Sequence, residues 1–161
     1  MKTKTTTRTK ATLASLVPLH IKSILVPLDF SPPSKKALSY AVAVARQFKA
    51  KLTLLHVVEP VAAPEFVAPL ALDEDKVIAA AKEELEEVVT AARVPRGLVE
   101  KVLVRVGRSY HEIADAARTR KADLIIISTH GYTGLKHAVL GSTTERVVRH
   151  ASCPVLVVRQ R

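Results

Sequence analysis

Tryptophan is absent from the 161 residues, and phenylalanine and tyrosine occur three times each. So few aromatic faces argue against a protein that holds single-stranded nucleic acid by stacking its bases. A single cysteine, Cys153, excludes an internal disulfide and suits a reducing compartment. No apolar run approaches the roughly 20 residues that a membrane-spanning helix needs, so a soluble protein is expected. Neither a G-x-x-x-x-G-K-[ST] phosphate loop nor a G-x-S-x-G nucleophile elbow occurs. The six histidines are scattered and form no compact set with cysteine or acids at metal-ligand spacing. No residue stands out as a general base, so an enzyme is not expected beyond, at most, a slow ATPase.

Acidic residues are in the minority: 15 against 25 lysines and arginines, a formal charge of +10. Part of that excess lies in the first ten residues, where Lys2, Lys4, Arg8 and Lys10 alternate with threonines. The remainder is spread over helices and strand ends, not gathered into one stripe, which disfavours a dedicated nucleic-acid surface. Residues 1–20 read as a basic arm, expected to be disordered, ahead of one domain over 21–161.

What is abundant is Val, Ala, Leu and Ile, in an alternating order of short strands and amphipathic helices. Ser23 to Leu28 reads as a strand ended by Pro27, which cannot donate to a ladder. Ser31-Pro32 reads as an N-cap with proline at the first helical position. A strand over 51–58, a helix over 73–93, a strand over 100–106 and a helix from Ser109 follow. The run 124–127 is apolar throughout, as suits a parallel strand covered on both faces. A last strand ends at Val158. Alternation of this kind predicts an α/β domain, a parallel sheet with helices on both faces.

The chain is organised around residues 123–159. Ser128-Thr-His-Gly-Tyr-Thr-Gly134 places small and hydroxyl side chains where the fourth strand ends. Gly141 then precedes Ser142-Thr-Thr-Glu145, which reads as a capping box; Ser109-Tyr-His-Glu112 reads as a second one. Free amides and the positive dipole end of the helix behind Gly141 would receive an anion. The other reading of Gly131 and Gly141 is loop geometry that requires positive φ. Asp29, at the carboxyl end of the first strand, is a candidate for a ribose hydroxyl or a magnesium ion. It is equally the kind of aspartate that caps a turn.

Val26-Pro-Leu-Asp29-Phe-Ser31, Val104-Arg-Val-Gly107 and the tract from Ser128 to Val158 together resemble the universal stress protein family, over about residues 21–161. The resemblance implies a five-stranded Rossmann-like sheet of order 3-2-1-4-5, akin to the adenine nucleotide alpha hydrolases. It also implies homodimers made by pairing the last strand, Val155–Val158. One branch of the family binds ATP through a glycine motif. Here Gly131, Gly141 and Ser142 match it, while Ser128 stands where the first glycine would be. Carried over, Pro27, Leu28 and Asp29 would face adenosine, with Val57 near the base. Ser128, His130 and Gly131 would line ribose and phosphates, and Gly141, Ser142, Thr143 and Thr144 would hold the triphosphate. The implied function is an ATP-binding regulator of the stress response, with nucleotide ordering residues 132–140. The alternative is a dimerisation and interaction module that binds no nucleotide.

Overall fold

The computed structural model describes residues 19–60, 73–95, 97–129 and 141–159. Residues 1–18 of the basic arm, residues 61–72, and His130 and Gly131 with the segment 132–140 therefore lie outside the described residues. Strands and helices alternate: β1 (Ser23–Pro27), α1 (Pro32–Phe48), β2 (Lys51–Val58), α2 (Glu74–Ala91), β3 (Val99–Val106), α3 (Ser109–Thr119), β4 (Leu124–Ser128), α4 (Ser142–His150) and β5 (Val155–Val158). The sheet is parallel and its order is β3-β2-β1-β4-β5, as the resemblance implied.

Two apolar layers hold it together. Ile24, Val26, Leu52, Leu54, Leu124 and Ile126 point to one face, where Ala37, Leu38, Ala41 and Ala45 of α1 and Leu85 and Val88 of α2 cover them. Leu25, Leu55, Ile125 and Ile127 point to the other, beneath Ile113, Ala116 and Ala117 of α3 and Val147 of α4. The period-two alternation of each central strand thus feeds both layers, and β4 is buried along its whole length. The chain changes face once, between β3 and α3, at Gly107 (φ 149°).

Local chemistry sets the helix boundaries. Ser31 is extended (φ −65°, ψ 155°), and its Oγ accepts from the Ser34 amide at 3.3 Å, with prolines opening α1 behind it. α1 ends on Lys49 in the left-handed region, φ 55°. Asp73 caps α2, accepting from the Asp75 amide.

Both expected capping boxes are absent. α3 is preceded by Arg108 and α4 by Gly141 as the extended N-cap residue, and neither helix has a side-chain cap of its own. Ser109 and Ser142 are the first helical residues, one position too late for the reciprocal bond. The glutamates are engaged elsewhere: Glu112 pairs with Arg105, and Glu145 with Arg149 at 2.7 Å. Cys153 is half-buried ahead of β5 and not a strand residue; burial pushes its thiol up.

The seam between β1 and β4 explains where a cavity can form. At the amino ends Asp123 Oδ2 accepts from the amides of Lys22 (2.8 Å) and Ser23 (3.0 Å). Ile24 then registers with Leu124 and Leu25 with Ile125, and the pairing stops there, two residues short of the end of β1. Beyond that point the strands leave a crevice at their carboxyl ends, where the connections diverge to opposite faces.

Candidate functional site

A cleft of about 450 Å³ occupies that crevice. Pro27, Leu28 and Asp29 line it from the end of β1, Leu55, Val57 and Glu59 from β2, and Ile127 and Ser128 from β4. Gly141, Ser142, Thr143 and Thr144 close it from the first turn of α4. Of the sequence candidates, all but His130 and Gly131, which are not described, converge on this one space. Ser34, Leu55, Glu59, Ser109, Ile113 and Ile127 also line it and were not expected.

The first turns of α1, α3 and α4 all reach the cleft, yet they differ in how their amides are met. At α1, Asp29 Oδ1 accepts from the Ser31 amide (3.2 Å) and from its hydroxyl (2.5 Å), while Ser31 Oγ serves the Ser34 amide. Asp29 is thus a turn-capping aspartate, whatever else it does. At α3, the Glu59 carboxylate crosses from the end of β2 to accept from the Ser109 amide at 2.7 Å. The hydrogen bonds to Ser109 hold the Glu59 carboxyl below the usual carboxylate range, against a small opposing effect of burial.

At α4, among the described residues, no side chain caps the helix. Gly141 donates its own amide to the Thr129 carbonyl (2.7 Å), and its carbonyl accepts from Glu145 (2.9 Å). The hydroxyl of Thr144 donates to the Ser128 carbonyl at 2.8 Å. Thr144 is therefore buried and committed to the protein, and it can offer a ligand only main-chain contact. Ser142 is exposed and Thr143 half-buried, so both hydroxyls are accessible. Gly141 has φ −68° and ψ 148°, extended backbone open to any residue. The loop-geometry reading of Gly141 is thus overturned: its φ does not require glycine.

Chemically the cleft has one anionic side and one side of main-chain donors. Glu59 and the α3 end are mutually satisfied, and so are Asp29 and the α1 end. The α4 end carries partial positive charge, and Gly141 at its N-cap supplies no side chain to meet it. Among the described residues no group of three or more His, Cys, Asp or Glu side chains could hold a metal ion, and no helix is long and apolar enough to cross a membrane.

Comparison with known proteins fits this geometry. The sequence profile of the universal stress protein family matches residues 20–159. Universal stress protein MJ0531 of Methanocaldococcus jannaschii is 34% identical over 145 residues, 86% of this chain and 82% of that protein. A universal stress protein of Thermus aquaticus is 35% identical over 140 residues, covering 86% and 98%. Among solved structures, the universal stress protein UspA of Lactobacillus plantarum superposes with a TM-score of 0.76 at 29% identity, covering 87% of this chain and 99% of that one. With its domain, its strand order and these relatives in agreement, the chain belongs to the universal stress protein family.

Proposed function

We propose that the protein is an adenine-nucleotide-binding regulator of the stress response, cytoplasmic, with ATP as its ligand. The observation that carries this reading is the first turn of α4: the cleft's one helix start, among the described residues, without a side-chain cap. A phosphate at Gly141–Thr144 would meet main-chain donors and the positive end of the helix dipole. The cleft is large enough for a nucleoside, and Leu55, Val57, Ile113 and Ile127 offer a base an apolar wall. Universal stress proteins in complex with cAMP and, from Archaeoglobus fulgidus, with dAMP share the fold at TM-scores of 0.60 and 0.59. At 24% and 22% identity they support the fold and leave the ligand to the cleft's own chemistry.

Magnesium would arrive with the nucleotide, held mainly by phosphate oxygens. Asp29 is the nearest carboxylate on the β1 side, and it already serves Ser31. We propose no hydrolysis, because both carboxylates lining the cleft are accepting hydrogen bonds from the protein. Regulation would follow from binding. α4 is tied to the end of β4 through Thr144 and exposes Val148 and Arg146, so an occupied first turn favours one setting of a surface that partners can read.

The test is thermal denaturation with and without magnesium-ATP, on protein freed of nucleotide, for the native chain and Gly141→Asp. Ligand at a hundred times its dissociation constant should stabilise the native chain by about 2.7 kcal/mol. An aspartate at the N-cap would cap α4 itself, raising intrinsic stability by a few tenths of a kcal/mol and removing the ATP response. No shift of the native chain at millimolar ATP would leave the non-nucleotide interaction module as the better reading.

A further inference from the structure

His56 is placed to control the ligand-facing end of β1 from outside the cleft. Leu28 is gripped by β2 through both of its main-chain groups. Its N–H donates to the Leu55 carbonyl at 2.8 Å, the last rung of the parallel ladder. Its carbonyl lies 2.8 Å from Nδ1 of His56. A carbonyl can only accept, so Nδ1 carries the hydrogen. The next rung of a regular parallel ladder would be Val57 N–H to that same carbonyl, and it is not made. The imidazole N–H meets that carbonyl in its place. Val57 lines the cleft, and its N–H is not bonded to the Leu28 carbonyl.

The same ring holds the turn that follows. Phe30 sits at φ 64°, a conformation costly for a bulky side chain. Its ring stacks on His56 with centroids 4.3 Å apart and planes 27° from parallel. Because a trans peptide points its C=O and N–H in opposite directions, turning the Leu28 carbonyl to β2 sends the Asp29 N–H toward β4, over the crevice.

We propose that His56 is a positioning residue for nucleotide: it ends the β1–β2 ladder one rung early, keeping the Val57 N–H for a ligand and setting the plane of the Leu28–Asp29 peptide. This rests on the nucleotide reading of the cleft.

Two substitutions separate the parts. His56→Phe keeps an aromatic ring against Phe30 and removes the donor. His56→Asn places an amide nitrogen near the position of Nδ1 and removes the stack. Amide hydrogen exchange of ligand-free protein and calorimetric titration with magnesium-ATP are read on both. In His56→Phe the Val57 amide should close onto Leu28 and gain about tenfold protection, while ATP binds about tenfold more weakly, the worth of one hydrogen bond. His56→Asn should keep Val57 exchange and ATP affinity within about threefold of the native chain. Unchanged Val57 exchange in folded His56→Phe, or loss of affinity in His56→Asn equal to that in His56→Phe, overturns the proposal. A native chain that binds no ATP, with the Val57 effect intact, would instead sink the nucleotide reading and leave the strand-end geometry standing.

Discussion

The Thr144 hydroxyl donates to the Ser128 carbonyl across 2.8 Å, joining the first turn of α4 to the end of β4. Both residues are almost fully buried, at 4% and 5% exposure, so the bond is made out of water and its loss is not repaired by solvent. Thr144→Val, which keeps the shape and deletes the donor, should cost about 1–3 kcal/mol in urea denaturation. Thr144→Ser should recover most of it. Equal stability of native and valine proteins would show that the link contributes nothing.

Glu59 acts on α3 from a distance of 50 residues in sequence. Glu59→Gln should lower stability near neutral pH by about 0.5–1 kcal/mol, the usual worth of a carboxylate at a helix start. The sign with pH follows from the lowered carboxyl. The stabilisation is fully present above the ordinary glutamate value of about 4.3 and is lost as pH falls through the lower folded value. Denaturation from pH 7 down to about 3 should therefore show the gap between native and Gln proteins closing only in the acid range. A gap that widened on acidification would contradict this assignment.

Gly107, where the chain changes face, has φ 149°, and a Cβ built there would lie 3.0 Å from Cγ and Oε1 of Glu112. Gly107→Ala should destabilise by about 1–3 kcal/mol, mostly backbone strain, since the glutamate side chain can shift. Gly97→Ala is the control: nothing lies within 4 Å of its Cβ position. Matching melting temperatures for the two variants would refute the argument.

A homodimer through Val155–Val158 is proposed from the family resemblance, and β5 is one of the two edges of the sheet. The carbonyls of Pro154 and Val158 accept from β4, so in this parallel register the N–H of Val157 points outward. Val157→Pro would delete that outward donor while sparing the bonds to β4. Sedimentation should then report a monomer with unchanged far-ultraviolet dichroism. A native chain that is already monomeric, or a dimer indifferent to the proline, would rule the edge out.

The sheet was legible because its central strands are buried on both faces: an unbroken run such as 124–127 has few other homes in a chain of this length. The convergence of Asp29, Ser128 and Gly141 was legible for a related reason, since carboxyl ends of neighbouring parallel strands must meet. The caps were not. Ser-x-x-Glu at 109 and 142 has the spacing of a capping box, but spacing does not say which residue is extended. Arg108 and Gly141 took that position, and Arg105 and Arg149 took the glutamates. The roles of Glu59 and His56 were not legible, because each acts on a partner 50 and 28 residues away, with no local signal in the sequence.

The short register between β1 and β4 divides the molecule into unequal portions, one with β1, β2 and β3, the other with β4 and β5. Near its amino ends the boundary is pinned by Asp123; at its other end it gapes. A molecule lodged in that opening would grip Pro27–Asp29 on one bank and Gly141–Thr144 on the other. It would serve as a rivet: mechanical extension, or proteolysis at the crossing near Gly107, would have to break that grip before the banks could separate.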